Sequence, residues 1–130
     1  MNSKRPVNLD LGQVIAVNLK NPVAIVSILH RISGVVIFML IPFLLYVLQA
    51  SLASSASFNA LVQGWQQLTL LRLGVFLALA GLIYHFMVGC KHLLADLGVG
   101  ETLKAAQILS LLALVLALVG IGCSFVWVVL

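Results

Sequence analysis

An all-α membrane protein with three transmembrane helices is the fold class this sequence predicts, and three observations carry it. Hydrophobic residues make up 63% of the 130-residue chain and charged residues only 8%, against roughly a quarter charged in an ordinary soluble domain. The charges are Lys4, Arg5, Asp10, Lys20, Arg31, Arg72, Lys91, Asp96, Glu101 and Lys104, which leaves uncharged runs at 32–71, 73–90 and 105–130. A helix needs about 20 apolar residues to cross a hydrocarbon core about 30 Å thick, so three helices and their connections use nearly the whole chain. No polar stretch remains for a soluble catalytic domain, a nucleotide-binding βαβ unit or a zinc module.

Residues 1–21 are mostly polar and lack the apolar core and small-residue cleavage site of a secretory signal. They are expected to stay in the mature chain as a cytoplasmic segment ahead of one membrane domain, 22–130. Its first span, about 22–48, opens on Asn21-Pro22, because proline suits the first helical turn, where its missing N–H has no intrahelical acceptor. Pro42 lies inside that span and predicts a kink in its outer half. From Ser51 to Gly64 the chain turns Ser/Ala/Asn/Gln-rich and reads as a loop. Within it Phe58, Leu61, Val62 and Trp65 recur at helical spacing, so a short interfacial helix and an ordered loop anchored by Trp65 are both open readings.

The second span is placed at about 68–94, followed by a turn at Asp96-Leu97-Gly98-Val99-Gly100, and the third at about 103–129. Gly120 and Ser124 form a small-xxx-small pair that lets a neighbouring helix approach closely. Lys4, Arg5, Lys20 and Arg31 precede the first span, Lys91 and Lys104 flank the inner turn, and Arg72 stands alone on the other side. That asymmetry puts the N-terminus inside and the C-terminus outside. Basic residues scattered along membrane edges, rather than gathered on one face, do not make a nucleic-acid surface. Cys90 and Cys123 have no CxxC spacing and read as small helix-packing residues rather than a disulfide or iron–sulfur site.

In so apolar a chain the informative residues are those unfavourable in lipid. Ser27 and Arg31 are one turn apart on one face, with His30 beside them and Gly34 further along. A hydroxyl and a guanidinium converging there suit a ligand with carbonyl or carboxylate oxygens; the alternative is that Arg31 snorkels to the headgroups. His85 and His92 are two turns apart, with Asp96 one turn further. Gly81 and Gly89 flank His85 at i−4 and i+4, which predicts a groove that a flat macrocycle could enter, and imidazole is a standard axial ligand of haem iron. His85 and His92 share one helix face and cannot sandwich one iron, so a second ligand has to come from His30 or from another polypeptide. His92, beside Lys91, is better placed for propionates or headgroups.

Three blocks together are specific: Arg5-Pro6-Val7-Asn8-Leu9-Asp10-Leu11, then Ser27-Ile28-Leu29-His30-Arg31-Ile32-Ser33-Gly34, then His85-xxx-Gly89-x-Lys91-His92-xxx-Asp96-x-Gly98. Across its whole length the chain resembles the cytochrome b556 family, the larger membrane anchors of bacterial succinate dehydrogenase (respiratory complex II). The resemblance implies packing with a second three-helix anchor subunit and haem b between the two. His85 is then this chain's axial iron ligand, and the second anchor gives the other. It also implies that Ser27 and Arg31 help form the ubiquinone site, with His30 and Arg31 near the haem propionates. A flavoprotein subunit with FAD and an iron–sulfur subunit complete the complex in the bacterial inner membrane, so this chain alone holds no complete active site. Lys91 stands where arginine is common and keeps the charge without the bidentate fork. Cys90 and Ala95 replace bulkier residues, and the stretch before Ser27 is about one helical turn longer than usual.

Two other functions compete. A small three-span transport or assembly protein would carry a carboxylate deep in a span, whereas Asp10, Asp96 and Glu101 all lie at or beyond span ends. A fumarate reductase anchor would keep quinone and haem and reverse the physiological direction.

Overall fold

A computed structural model describes residues 10–67 and 69–130; the block at 5–9 and the two basic residues Lys4 and Arg5 lie outside the described residues. The described chain is all-helical: α1 (Leu11–Leu19), α2 (Pro22–Ala53), α3 (Ser55–Gln67), α4 (Thr69–Asp96) and α5 (Leu103–Val129). Helices α2, α4 and α5 are the three that are long and apolar enough to cross a membrane.

The ends of these helices follow from local chemistry. Asn21 caps α2 by accepting a hydrogen bond from the Val23 amide at 3.1 Å, with Pro22 in the first turn. Thr102 caps α5 by accepting from the Ala105 amide at 3.2 Å. Helix α4 ends in a Schellman turn: Val99 N–H donates to Leu94 C=O at 2.9 Å and Gly98 N–H to Ala95 C=O at 3.0 Å. Gly98 takes φ +80°, the left-handed conformation that turn requires and glycine adopts without strain.

One expectation needs correction. The stretch read as a loop from Ser51 to Gly64 is helical on both sides of a single extended residue, Ser54. Its serines, taken for loop formers, bond locally instead. Ser51 donates back to Leu48 C=O within α2 at 2.7 Å, Ser54 Oγ accepts from the Ser57 amide at 3.1 Å at the start of α3, and Ser57 Oγ donates to Ala50 C=O at 2.6 Å, joining α3 to α2. Of the two readings left open for this region, the short helix is the one formed. Helix α1 was not foreseen; its nine residues are too few to span, and they buried no side chain that would have marked it. Helix α2 runs through Pro42, which lies inside the helix as the span 22–48 has it, leaving the Phe38 carbonyl without that amide partner.

Small residues set the packing. In α5, Ser110, Ala113, Ala117, Ser124 and Val128 are buried at spacings of three, four and seven residues, a stripe on one helix face that brings α4 close. A Cβ on Gly120 would fall 2.9 Å from Ile83 Cγ2, so the close approach expected at Gly120 and Ser124 is made to α4. Between α2 and α4 the register is antiparallel. Phe43 packs on Gly74, Ile37 on Gly81, the His85 ring on Gly34, and His30 beside Gly89. At the other end of α4, Arg72 Nη1 donates to Val129 C=O at 3.2 Å, satisfying one of the carbonyls a helix C-terminus leaves open. The outward faces, including Ile32, Phe38, Met39, Phe86, Leu118 and Val119, are exposed and apolar, as lipid-facing surface should be.

Gly120→Leu should wedge α4 from α5 and lower the protein's resistance to denaturation in detergent by about 1–3 kcal/mol. Gly122→Ala, whose Cβ meets nothing within 4 Å, should leave it unchanged or slightly higher. Equal loss in both variants would contradict the packing described.

Candidate functional site

The polar residues singled out in α2 and α4 meet where the two helices cross. His30 and His85 stack face to face, ring centroids 4.0 Å apart and planes 14° from parallel. His92 approaches His30 from the next turns of α4, with centroids 5.2 Å apart and a 57° tilt. His30 is therefore wedged between the two α4 histidines, a placement that sequence spacing could not supply.

His85 is held by α2 through one nitrogen. Its Nδ1 lies 3.1 Å from the His30 backbone oxygen and 3.1 Å from Ser33 Oγ, while the Ser33 hydroxyl donates to that same carbonyl at 2.7 Å. A carbonyl oxygen only accepts, so the neutral ring must carry its proton on Nδ1 to make this bond. Nε2 is then the nitrogen with the lone pair, and no hydrogen bond takes it up among the described residues. The ring can sit this close because residue 34 is glycine: a Cβ there would fall 3.1 Å from His85 Cε1.

That arrangement fits an axial imidazole, whose non-ligating N–H is typically fixed by a backbone carbonyl or a carboxylate. It does not fit His30 and His85 as a pair on one iron. Face-to-face rings aim no nitrogen at a common point between them, and among the described residues no set of three or more His, Cys, Asp or Glu side chains could hold a bare ion. The groove expected around His85 at Gly81 and Gly89 is not open either. Ile37 fills the space at Gly81, 3.3 Å from where a Cβ would lie, and His30 Nε2 lies 3.5 Å from the corresponding point at Gly89. The glycines admit α2 rather than a macrocycle. An open recess of about 290 Å³ does lie between α2 and α4, lined by Leu29, Ile32, Ser33, Val36, Gly81 and Tyr84 among others.

His30 Nε2 is buried with no hydrogen-bond partner in the described structure, an arrangement that is unfavourable unless something else occupies that nitrogen. Ser27 is half-buried and Arg31 exposed one turn along α2. Ser33, Ser110 and Ser124 turn their hydroxyls back onto helix carbonyls, but Ser27 makes no such bond among the described residues. Nearby, Tyr84 donates to Val26 C=O at 3.1 Å and packs on Val26, Val88 and Ala113. Lys91 is only 7% exposed, deeper than a residue reserved for headgroups. Asp96 is exposed at the end of α4 and forms no hydrogen bond with His92 among the described residues.

Sequence reasoning missed Ser33, which entered only as a member of the Ser27–Gly34 block, and Tyr84. Only half of the Ser33 signal was local: its place three residues after His30 lets it reach back to the His30 carbonyl, whereas its contact with His85 depends on the register between α2 and α4.

Residues 1–123 match the family described as succinate dehydrogenase/fumarate reductase transmembrane subunit. The chain is also similar to a protein of Coxiella burnetii (strain RSA 493 / Nine Mile phase I) named succinate dehydrogenase cytochrome b556 subunit. The two are 37% identical over 133 residues, covering 98% of this chain and 99% of the relative.

Gly34→Val should push the His85 ring off α2 and lower resistance to denaturation by about 1–3 kcal/mol. Gly89→Ala, whose added methyl meets His30 at ordinary contact distance, should be milder; the reverse order would contradict the geometry.

Proposed function

This chain belongs to the succinate dehydrogenase/fumarate reductase transmembrane subunit family, and on that premise we propose that it is the haem- and quinone-binding anchor of a bacterial succinate:ubiquinone oxidoreductase. The observation that carries this reading is the anchored His85 ring, with Nδ1 committed to α2 and Nε2 left to ligate. His85 would hold the iron of haem b together with a ligand from a second membrane-anchor subunit, because His30 stacks on His85 instead of opposing it. When bound, the haem supplies one-electron storage and transfer.

His30, Arg31 and His92 lie on the propionate side in this reading, and the partnerless His30 Nε2 is available to donate to a carboxylate. Ser27 and Arg31 are this chain's part of the ubiquinone site. The hydroxyl and guanidinium hydrogen-bond a quinone carbonyl and stabilise the negative charge that develops on its oxygen as electrons arrive. Electrons reach that site from succinate through FAD and iron–sulfur clusters, held by a flavoprotein subunit and an iron–sulfur subunit. Those subunits dock at the end of the bundle carrying Ser27, Arg31 and the α4–α5 turn, the cytoplasmic end by the distribution of Lys and Arg. Residues 1–21 lie on that side, 22–130 form the membrane domain, and the C-terminus is periplasmic. The name of the Coxiella relative favours succinate oxidation over fumarate reduction as the working direction.

In the assembled complex, Arg31→Leu and Ser27→Ala should each lower kcat/KM for ubiquinone reduction by about tenfold or more, equivalent to about 1.4 kcal/mol of transition-state stabilisation. Succinate oxidation by a soluble artificial dye should persist. Unchanged quinone kinetics in Arg31→Leu would mean that the guanidinium only reaches headgroups.

A further inference from the structure

We infer that Ser33 is a positioning residue for His85: with the His30 carbonyl it fixes the Nδ1–H tautomer and strengthens the imidazole as an iron ligand. The inference deepens the haem reading above and rests on it. Three contacts close a small ring of hydrogen bonds, His85 Nδ1 to His30 O at 3.1 Å, His85 Nδ1 to Ser33 Oγ at 3.1 Å, and Ser33 Oγ to His30 O at 2.7 Å. Ser33 has one proton to give, and it goes to the carbonyl at the shortest of the three distances. Its oxygen lone pairs are then turned to Nδ1, so one N–H is shared between two oxygens.

Back-bonding of a serine hydroxyl to the carbonyl three residues earlier is ordinary in helices, and Ser124 does the same with Ile121 at 2.8 Å. Ser33 differs in where the remaining lone pairs point. It is buried at 9% exposure, away from water that could replace it, and it faces a ring nitrogen on another helix. Acceptors on the non-ligating N–H make a metal-bound imidazole more basic, which favours the higher oxidation state of the iron and lowers its reduction potential. The spacing follows: Ser33 at i+3 reaches back to the His30 carbonyl, and Gly34 removes the side chain that would keep the ring away.

The test uses the complete complex in mild detergent, with Ser33→Ala, Ser33→Thr and His85→Ala compared by redox titration of the haem and by the EPR signal of its ferric form. Ser33→Ala should raise the midpoint potential and displace the EPR signal, or release the haem, while Ser33→Thr, which keeps the hydroxyl, should match the unmodified protein in both. Wild-type potential and EPR signal in Ser33→Ala, or the same change in the alanine and threonine variants, would overturn the role of Ser33. His85→Ala separates this from the underlying reading. If that variant loses or alters the haem while Ser33→Ala is unchanged, only the positioning role falls; an unaltered haem in His85→Ala removes both.

Discussion

The hydrogen bond from the His85 ring to the backbone of α2 is the interaction on which the rest of this site depends. In a hydrocarbon environment a polar group without a partner is strongly unfavourable, and water is not there to replace a lost one. Nδ1 therefore finds its oxygens on the facing helix, and that single engagement fixes the tautomer, the orientation of the ring and the distance between α2 and α4. Gly34 permits it, and His30 covers the other face of the ring.

The remainder of the bundle is built to keep that crossing in place with little hydrophobic driving force between helices, since lipid tails are as apolar as leucine. Close backbone approach does the work instead. Glycines at 74, 81, 89 and 120 each receive a side chain from the facing helix, and the small-residue stripe of α5 supports α4 from behind. The ends are tied by polar contacts, Arg72 to the last turn of α5 and Ser57 Oγ of α3 to the Ala50 carbonyl of α2. On the same end, Trp65 and Trp127 border one recess with Val75 and Val128, the position at which tryptophan is favoured at a membrane interface.

The sequence made the spans legible because their signal is long, uncharged and indifferent to partners; the third span, placed at 103–129, coincides with α5 at Leu103–Val129. Serine was misread at 51–57 because its loop preference in water and its helix-stitching role in an apolar setting use the same hydroxyl. At the site, helical periodicity put Ser27 with Arg31 and His85 with His92, but periodicity concerns one helix at a time. The stacking of His30 on His85 and the occupation of Gly81 and Gly89 by α2 depend on the register between helices, which a single sequence does not encode in its local pattern. The same limit hid Ser33, whose importance exists only once α4 is beside it.

A dithionite-reduced minus oxidised visible spectrum of the complex isolated through this chain from its native membrane tests the central claim most directly. The account predicts a b-type haem signal in a preparation that also carries a flavoprotein and reduces ubiquinone with succinate. An intact preparation with neither haem nor an associated flavoprotein would contradict it.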